Sequence, residues 1–474
     1  MSYKIFILIL IIKVCSVLYL VHLLKCSNPE IIKGIASYWG DANSYIAPMD
    51  HFISEGNYYY ETVKAGRMPY LGLVYLPFRL AFSKEVALSI LVILQILLEC
   101  IAIYYMAKLC ENIFKGKFAF YTSLFLSCLS LNVTIYDYAI LSEAFGISFL
   151  CLFVFNYHCF LTSGRSKKDL LLVGLFLALS VLFKPYFSLF FLVIGLELMW
   201  YERGELIKKS FRKIVIQGIL VSIPLFILDG SWTVRNYILL EKFIPFQQDI
   251  YAGYRFTDAD KAYVAFLKNI GESYIYWDKK SAGSYFQGGN EFKSVFTFPA
   301  RIFGQHITMK QIEDVKQTYM KYKQNGSDSL EKQAINQFNF LSDNYRNDHL
   351  FFSRFGVPLI LCKNLLINSG SYYLPIKQDS PCYHSFQFLI KIFQSFLYYF
   401  TLIVGSIGLI KMLFAIPNTF ILALIPLYLI LFFPLYLRQT EWRYFVPSYP
   451  FLSAGSTYVL LILKNKWYKP AVLK

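Results

Sequence analysis

The chain has 474 residues, of which 56% are hydrophobic, and its mean hydropathy is +0.45. The apolar residues gather in long runs and exceed what a soluble core requires, which excludes an ordinary soluble enzyme and predicts a protein that crosses a membrane several times. The formal charge of +16 would also suit a nucleic-acid partner. The Lys and Arg residues do not collect on one soluble stretch, however, and basic loops that face anionic lipid explain the charge instead.

The apolar runs predict a mainly α fold, a polytopic bundle of about ten transmembrane helices. The first run is too long for the apolar core of a cleaved signal peptide and has no small-residue cleavage site after it, so we expect a retained anchor. The runs lie near residues 5–24, 86–107, 118–135, 140–161, 170–183, 186–201, 214–229, 388–413, 418–437 and 446–463.

Basic residues between the predicted spans indicate the orientation. They collect on alternate loops, and positive residues favour the cytoplasmic side of a membrane. The loops on that side contain Lys108, Lys115 and Lys117, and the last span is followed by Lys464 and Lys466. We therefore expect both termini in the cytoplasm and the loops 25–85 and 230–387 on the outer face.

These predictions divide the chain into three parts. An N-terminal transmembrane module covers residues 1–229 and includes the outer loop 25–85. A large outer-face loop domain covers 230–387, because a connector of that length is expected to fold or to carry function. A C-terminal transmembrane module covers 388–474.

The nine cysteines form no CxxC pair and show no metal-ligand spacing with the six histidines. Most lie inside predicted spans, where Cys behaves as a small apolar residue. Cys362 and Cys382 lie in the large outer loop and are candidates for a disulfide with each other, although the sequence leaves their separation open.

Two charges fall inside predicted spans, Lys13 in the first and Glu99 in the second. Their depths from the cytoplasmic side are similar, and an unpaired charge at that depth is costly. We therefore predict that they pair. The alternative is that the Lys13 side chain extends to the membrane surface.

The remaining charges of interest lie at the outer ends of the spans. They are Asp41, Arg67, Asp137, Glu143, Lys184, Arg235, Glu441 and Arg443. Charges collect at any span end because the membrane interior rejects them. Helices that return repeatedly to one face would nevertheless bring these side chains into a single site, and we favour that interpretation.

Six short motifs lie in or beside these outer segments. They are Gly40-Asp41-Ala42-Asn43-Ser44-Tyr45, Gly66-Arg67-Met68-Pro69, Leu141-Ser142-Glu143, Leu182-Phe183-Lys184-Pro185, Trp232-Thr233-Val234-Arg235-Asn236-Tyr237 and Glu441-Trp442-Arg443-Tyr444. In this order they resemble the GT-C superfamily of integral-membrane glycosyltransferases, which includes protein O-mannosyltransferases and the aminoarabinose transferases of lipid A. The resemblance implies a GT-C-like bundle that takes a sugar from a polyprenyl phosphate on the outer side of the membrane.

The resemblance also implies roles for individual residues. Asp41 would be the general base of an inverting single displacement, and Glu143 would help to position the acceptor. Because Arg presents a fork of donors that suits phosphate oxygens, the expected ligands of the donor phosphate are Arg67, Lys184, Arg235 and Arg443. The expected substrate contacts are Tyr45, Asn236 and Tyr444. For Arg235, a salt bridge to Asp229 is the competing role.

No cofactor is firmly implied. Some members of the superfamily use a divalent metal, and His51 together with Asp41 is the pair that would hold one here. The sequence also departs from the pattern, since the O-mannosyltransferases often carry Asp-Glu where this chain has Asp41-Ala42. The aminoarabinose transferases carry Arg where this chain has Ser44. Both departures count against assigning either subfamily or its acceptor.

Two other functions compete with sugar transfer. A polysaccharide polymerase or ligase would depend on loop cations, namely Arg301, His306, Arg346 and His349. A lipid or small-molecule transporter would carry charged or broken helices near the bilayer midplane. The favoured prediction is an enzyme of the bacterial inner membrane that makes cell-envelope glycan. Its partners are a polyprenyl-phosphate sugar, membrane lipids and a lipid, glycan or protein acceptor.

Overall fold

The structure, a computed structural model, is mainly helical, as predicted. It describes residues 2–61, 63–163, 166–202, 207–247, 250–251, 254–276, 278–287, 293–367, 374–438 and 440–467. The helices of the first half are α1 Tyr3–Ser27, α2 Asp41–Glu55, α3 Tyr70–Ala81, α4 Lys84–Phe114, α5 Lys117–Cys128, α6 Leu131–Tyr138, α7 Glu143–Thr162, α8 Lys167–Phe183, α9 Leu189–Glu202 and α10 Ile207–Leu240.

The second half continues with shorter helices before the last spans. They are α11 Asp258–Ile270, α12 Ala282–Gln287, α13 Met309–Asn325, α14 Asp328–Asp348, α15 Val357–Ile367, α16 Ser385–Ala415, α17 Phe420–Ile430 and α18 Tyr449–Trp467. The strands form two small sheets, β1 Ile32–Lys33 with β2 Ala36–Ser37 and β3 Ile250–Tyr251 with β4 Tyr254–Arg255.

Seven helices of the described chain are long and apolar enough to cross a membrane, or up to nine if each of two bent pairs is one span. The prediction of a polytopic helical protein is therefore confirmed, whereas the predicted number of about ten spans is not. The runs predicted at 170–183 and 186–201 form helices of 17 residues or fewer, which falls short of that length. The run at 118–135 is divided into α5 and α6, which meet at a bend of 58°.

The bend between α5 and α6 is stabilised by Gln394 of α16. Its side-chain amide donates to the carbonyl of Leu129 at 2.8 Å, and its side-chain oxygen accepts from the backbone N–H of Leu131 at 2.9 Å. A break inside a membrane leaves backbone groups that must be paired within the protein. Gln394 supplies both partners from a buried position.

The chain divides into two compact units. The first comprises Met1–Tyr254, Ser369–Pro426 and Val446–Lys474. In it α16 and α18 pack closely, because Gly405 and Gly408 face Leu452 and Gly455 and a Cβ atom at either glycine would meet backbone. Small residues at such a contact allow two membrane helices to approach each other.

The first helix is held near its middle by Lys13 and at its C-terminal end by Cys26. Lys13 Nζ lies 2.5 Å from Glu99 Oε2, which confirms the predicted pair, and 2.8 Å from Asp137 Oδ2. In the last turn of the helix, Cys26 forms a disulfide with Cys382. The expected pairing of Cys382 with Cys362 is wrong, because Cys26 has its Cα atom 6.0 Å from that of Cys382 and Cys362 keeps a free thiol.

The second unit comprises Arg255–Asn368 and Leu427–Phe445. Its core is aromatic, with Tyr263, Phe286, Tyr319 and Phe338 in mutual ring contact. Two polar helices, α13 and α14, are separated by a break at Gly326 and Ser327. Helix α13 ends at Asn325, and Gly326 adopts a left-handed conformation with φ of 63°.

Candidate active site

Asp41 is the first residue of α2, and a backbone contact fixes the segment that precedes it. Gly40 has a φ of 56°, which a residue with a Cβ atom adopts only with strain. Four residues before Asp41, the carbonyl of Ser37 accepts from the backbone N–H of Ile140 at 3.1 Å. The start of α2 is thereby tied to the turn that leads into α7.

Arg67 forms an ion pair with the Asp41 carboxylate. Its Nη2 atom lies 3.6 Å from Asp41 Oδ2, and its Nε–H donates to Ser44 Oγ at 3.1 Å. Ser44 in turn donates to the carbonyl of Asp41 at 2.6 Å. The Asp41 side chain is 34% exposed and that of Arg67 is 17% exposed, so a substrate can reach both charges.

Tyr45 connects this pair to α7. The guanidinium of Arg67 lies over its ring at 4.7 Å from the centroid, an arrangement in which the cation is attracted to the ring. The Tyr45 hydroxyl lies 3.1 Å from Ser142 Oγ. Ser142 precedes Glu143, so three predicted site residues, Asp41, Arg67 and Tyr45, lie beside the first turn of α7.

Glu143 and Lys184 form a buried pair with each other. Lys184 Nζ donates to Glu143 Oε1 at 2.5 Å, and both side chains are almost fully buried. The Lys184 chain passes over Gly146, where a Cβ atom would lie 2.7 Å from Lys184 Cγ. Each charge neutralises the other at this site.

Arg235 binds the loop that carries Arg67. Its Nη2–H donates to the carbonyl of Tyr58 at 2.9 Å, and its Nη1–H donates to the carbonyl of Lys64 at 2.7 Å. Tyr58 continues the connection, since its hydroxyl donates to the carbonyl of Arg67 at 3.3 Å. Burial raises the pKa of the Tyr58 phenol, which therefore stays a hydrogen-bond donor at neutral pH.

The side chains around Arg235 hold the end of α10. Asn236 donates to the carbonyl of Ile244 at 3.0 Å and accepts from Arg235 Nη1–H at 2.9 Å. The carboxylate of Asp229 accepts from the N–H of Phe246 at 3.1 Å and from the Thr233 hydroxyl at 3.3 Å. Among the described residues Asp229 forms no ion pair with Arg235, so the competing role predicted for Arg235 is wrong.

Arg443 and Tyr444 belong to the second unit. Arg443 Nε lies 2.6 Å from Glu441 Oε2, and the Tyr444 ring stacks on Phe433 with 4.2 Å between centroids. The loop cations of the competing polymerase reading lie in this unit too. Arg301 pairs with Glu272 at 2.5 Å, and His306 Nδ1 lies 2.7 Å from Asp348 Oδ1.

Metal-ligating side chains cluster elsewhere in the described chain. His22, Cys26 and Cys382 come within 4.8 Å of one another, but both cysteines are used by the disulfide. His51 stacks on Tyr59 with 4.3 Å between ring centroids and has its Nδ1 atom 3.1 Å from the Tyr59 carbonyl oxygen.

Two cavities accompany these features. One of about 570 Å³ lies between α13 and α14, and one of about 20 Å³ is enclosed by residues including Glu99, Ser148 and Tyr449. Neither is lined by Asp41 or Arg67.

Sequence reasoning missed three residues of the cluster: Ser44, Ser142 and Tyr58. Ser44 and Ser142 sit inside motifs quoted above, so the motifs contained them without indicating a role. Tyr58 belongs to a run of three tyrosines that is typical of the aromatic belt at a membrane interface. Its burial against Trp232, with 5.5 Å between the rings, is a tertiary contact.

One known protein family matches the part of the chain that contains Glu143 and Lys184. Residues 72–232 match the model of the dolichyl-phosphate-mannose-protein mannosyltransferase family. The match confirms the predicted resemblance over this segment and supports a membrane glycosyltransferase that uses polyprenyl-phosphate sugar donors. It includes Glu143 and Lys184, whereas Asp41 and Arg67 precede it and Arg235 follows it. No curated protein matches the chain.

Proposed function

We propose that the protein transfers a sugar from a polyprenyl phosphate to an acceptor on the outer face of the membrane, with inversion at the sugar carbon and Asp41 as general base. The observation that carries this proposal is the partly exposed Asp41 carboxylate beside the Arg67 guanidinium at 3.6 Å. A base for the incoming group and a cation for the departing phosphate are thus available in one place. The family match supplies the class of donor.

The reaction follows from these two charges. The acceptor hydroxyl or amine gives its proton to a carboxylate oxygen of Asp41 and forms a bond to the anomeric carbon. The bond from that carbon to the phosphate oxygen breaks on the opposite side, and its electron pair leaves with the polyprenyl phosphate. A positioned base of this kind contributes about 10²–10⁴ in rate.

Arg67 is the proposed ligand of the departing phosphate. Its Nε–H is used by Ser44, while the Nη2 side of the fork faces Asp41 at a distance longer than a hydrogen bond. In the proposed donor complex a phosphate oxygen takes the place of this contact with Asp41. Hydrogen-bond donors that are already in position lower the reaction barrier most where they face the charge that develops in the transition state.

Arg235 is assigned a positioning role, because its guanidinium donates to the carbonyls of Tyr58 and Lys64 and to the side chain of Asn236. The bonds to the two carbonyls hold the loop that presents Arg67. Glu143 and Lys184 neutralise each other, and we assign the pair to the support of Ser142 and Tyr45. Tyr45 is the proposed contact for the sugar ring, and Arg443, Tyr444 and Asn236 remain proposals for contacts with the substrates.

The disulfide supports the assignment of Asp41 to the outer face of the membrane. Disulfides persist in oxidising compartments and are rare in the cytosol. Cys26 lies in the last turn of α1, and in the described chain no candidate span separates it from Asp41. Both therefore lie on one side of the membrane, which we assign to the outer face of a bacterial inner membrane with cytoplasmic termini.

The stereochemistry of the product tests the reaction. Purified protein in lipid is incubated with polyprenyl-phosphate mannose and related donors together with candidate acceptors, and the anomeric configuration of the product is read by NMR. The proposal expects release of polyprenyl phosphate and an inverted anomeric centre. A product with the configuration of the donor would require a covalent sugar–enzyme intermediate and would contradict a single displacement.

A further inference from the structure

The segment 349–367 of the second unit carries exposed apolar side chains, although it lies in the part of the chain expected to be an outer loop domain. Its sequence is HLFFSRFGVPLILCKNLLI. It contains α15 and the preceding π-helical turn Phe352–Gly356. The helices Asp328–Asp348 and Phe352–Ile367 meet at 103°, so the chain turns sharply at the start of the segment.

Large apolar side chains of this segment face away from the unit's core. Phe351 is 77% exposed and Leu359 is 68% exposed. The others with more than half of their surface exposed are Leu350, Phe355 and Ile367. Soluble surfaces rarely carry so many neighbouring apolar side chains, so the patch marks a contact with an apolar partner.

The neighbours of the segment indicate which partner. Helix α15 packs against residues 431–437, which are the last residues of the candidate membrane span Phe420–Leu437. Arg438, the next residue, donates to the carbonyl of Ser353 at 2.9 Å and to that of Lys268 at 3.4 Å. The turn that begins the segment is thus attached to the end of a candidate membrane span.

The charges of the segment suit a membrane interface. It contains no Asp or Glu. Its two exposed cations, Arg354 and Lys363, pair with no carboxylate in the described ranges. Cations beside an apolar face are typical of helices that lie in a membrane interface, where they meet lipid phosphates.

We infer that residues 349–367 form a membrane-interface anchor, which inserts its apolar side chains into the same bilayer that the spans cross and places Arg354 and Lys363 against anionic headgroups. The anchor holds the second unit to the membrane surface. It acts whether or not Asp41 is a base, so the two proposals stand or fail separately.

Photo-crosslinking in lipid tests the anchor. The full chain is placed in nanodiscs that contain neutral and anionic phospholipid, with p-benzoylphenylalanine in place of Phe351. The matched control carries it in place of Phe340, which is 53% exposed on α14 of the same unit but outside the segment. Mass spectrometry should find at least tenfold more lipid adduct at position 351 than at position 340.

Equal yields at the two positions would overturn the inference. Crosslinks from position 351 to a second copy of the chain would also overturn it, since they would assign the surface to a protein partner. A variant that combines Arg354→Gln with Lys363→Gln should lower the share of anionic lipid among the adducts at least twofold. An unchanged share of anionic lipid would mean that Arg354 and Lys363 do not bind anionic headgroups.

Discussion

The Nη2 atom of Arg67 lies 3.6 Å from Oδ2 of Asp41, and the same guanidinium covers the ring of Tyr45 at 4.7 Å. This relationship joins a carboxylate, a cation and an aromatic face within residues 41–67. The separation of the two charges exceeds a hydrogen bond, and in the proposed reaction a donor phosphate takes the place of this contact. The proposed reaction depends on that exchange.

Arg67→Gln should weaken binding of the sugar donor and also slow the chemical step, because the proposed contact is with the departing phosphate. Hydrogen bonds to a charged group contribute about 1.5–3 kcal/mol, which corresponds to a rise in the donor KM of roughly 10- to 100-fold. Arg79→Gln is the matched control, because Arg79 pairs with Asp50 at 3.4 Å and lies outside the cluster. Steady-state kinetics with varied donor measure both variants, and an unchanged KM for Arg67→Gln would remove it as the phosphate ligand.

Arg235→Ala should loosen the loop from Tyr58 to Arg67. Two hydrogen bonds to backbone carbonyls are lost, so amide hydrogen exchange in this loop should increase and kcat should fall. The control is Arg212→Ala, an exposed cation near the other end of α10. If exchange in the loop stays at the level of the wild type while the donor KM rises, Arg235 is a phosphate ligand and not a positioning residue.

Gly146→Ala should displace Lys184 from Glu143. A Cβ atom at Gly146 would lie 2.7 Å from Lys184 Cγ, whereas one at Gly195 of α9 meets nothing within 4 Å. Overpacking costs about 1–3 kcal/mol, while Gly→Ala in an open helix stabilises by about 0.4–1 kcal/mol. Thermal unfolding in detergent should therefore show a lower Tm for Gly146→Ala and an equal or higher Tm for Gly195→Ala. Equal shifts in both variants would contradict the packing described for Lys184.

Lys13→Met should destabilise the bundle strongly. Lys13 is fully buried between Glu99 and Asp137, so its removal leaves two buried carboxylates without their cation, at a cost of about 3–5 kcal/mol. Adding Glu99→Gln and Asp137→Asn should restore most of the Tm. Lys4→Met, an exposed change on the same helix, is the control. A Tm for Lys13→Met equal to that of the control would mean that the triad does not stabilise the protein.

The sequence predicted the elements whose signal is local. The apolar runs predicted a helical membrane protein, and the similar depths of Lys13 and Glu99 predicted their pairing. Asp137 was expected at the outer site, because a straight span over 118–135 places it there. The 58° bend at the start of α6 turns it toward Lys13 instead.

Contacts between distant segments could not be predicted in the same way. The disulfide partner of Cys382 lies 356 residues away in sequence, at the end of α1, and no spacing rule connects the two. Arg235 stood out as a candidate because of its motif, but its partners are the backbone carbonyls of Tyr58 and Lys64. Carbonyl groups are present at every residue, so a sequence carries no sign of which ones accept.

The single-turnover rate of the Asp41→Asn variant with saturating donor, measured beside its affinity for the donor, tests the central claim most directly. Glu55→Gln, an exposed carboxylate change in the last turn of α2, is the matched control. The account predicts a rate about 10²–10⁴ lower for Asp41→Asn, with donor binding retained and the control unchanged. A rate for Asp41→Asn within a few-fold of the wild type would contradict a base at this position.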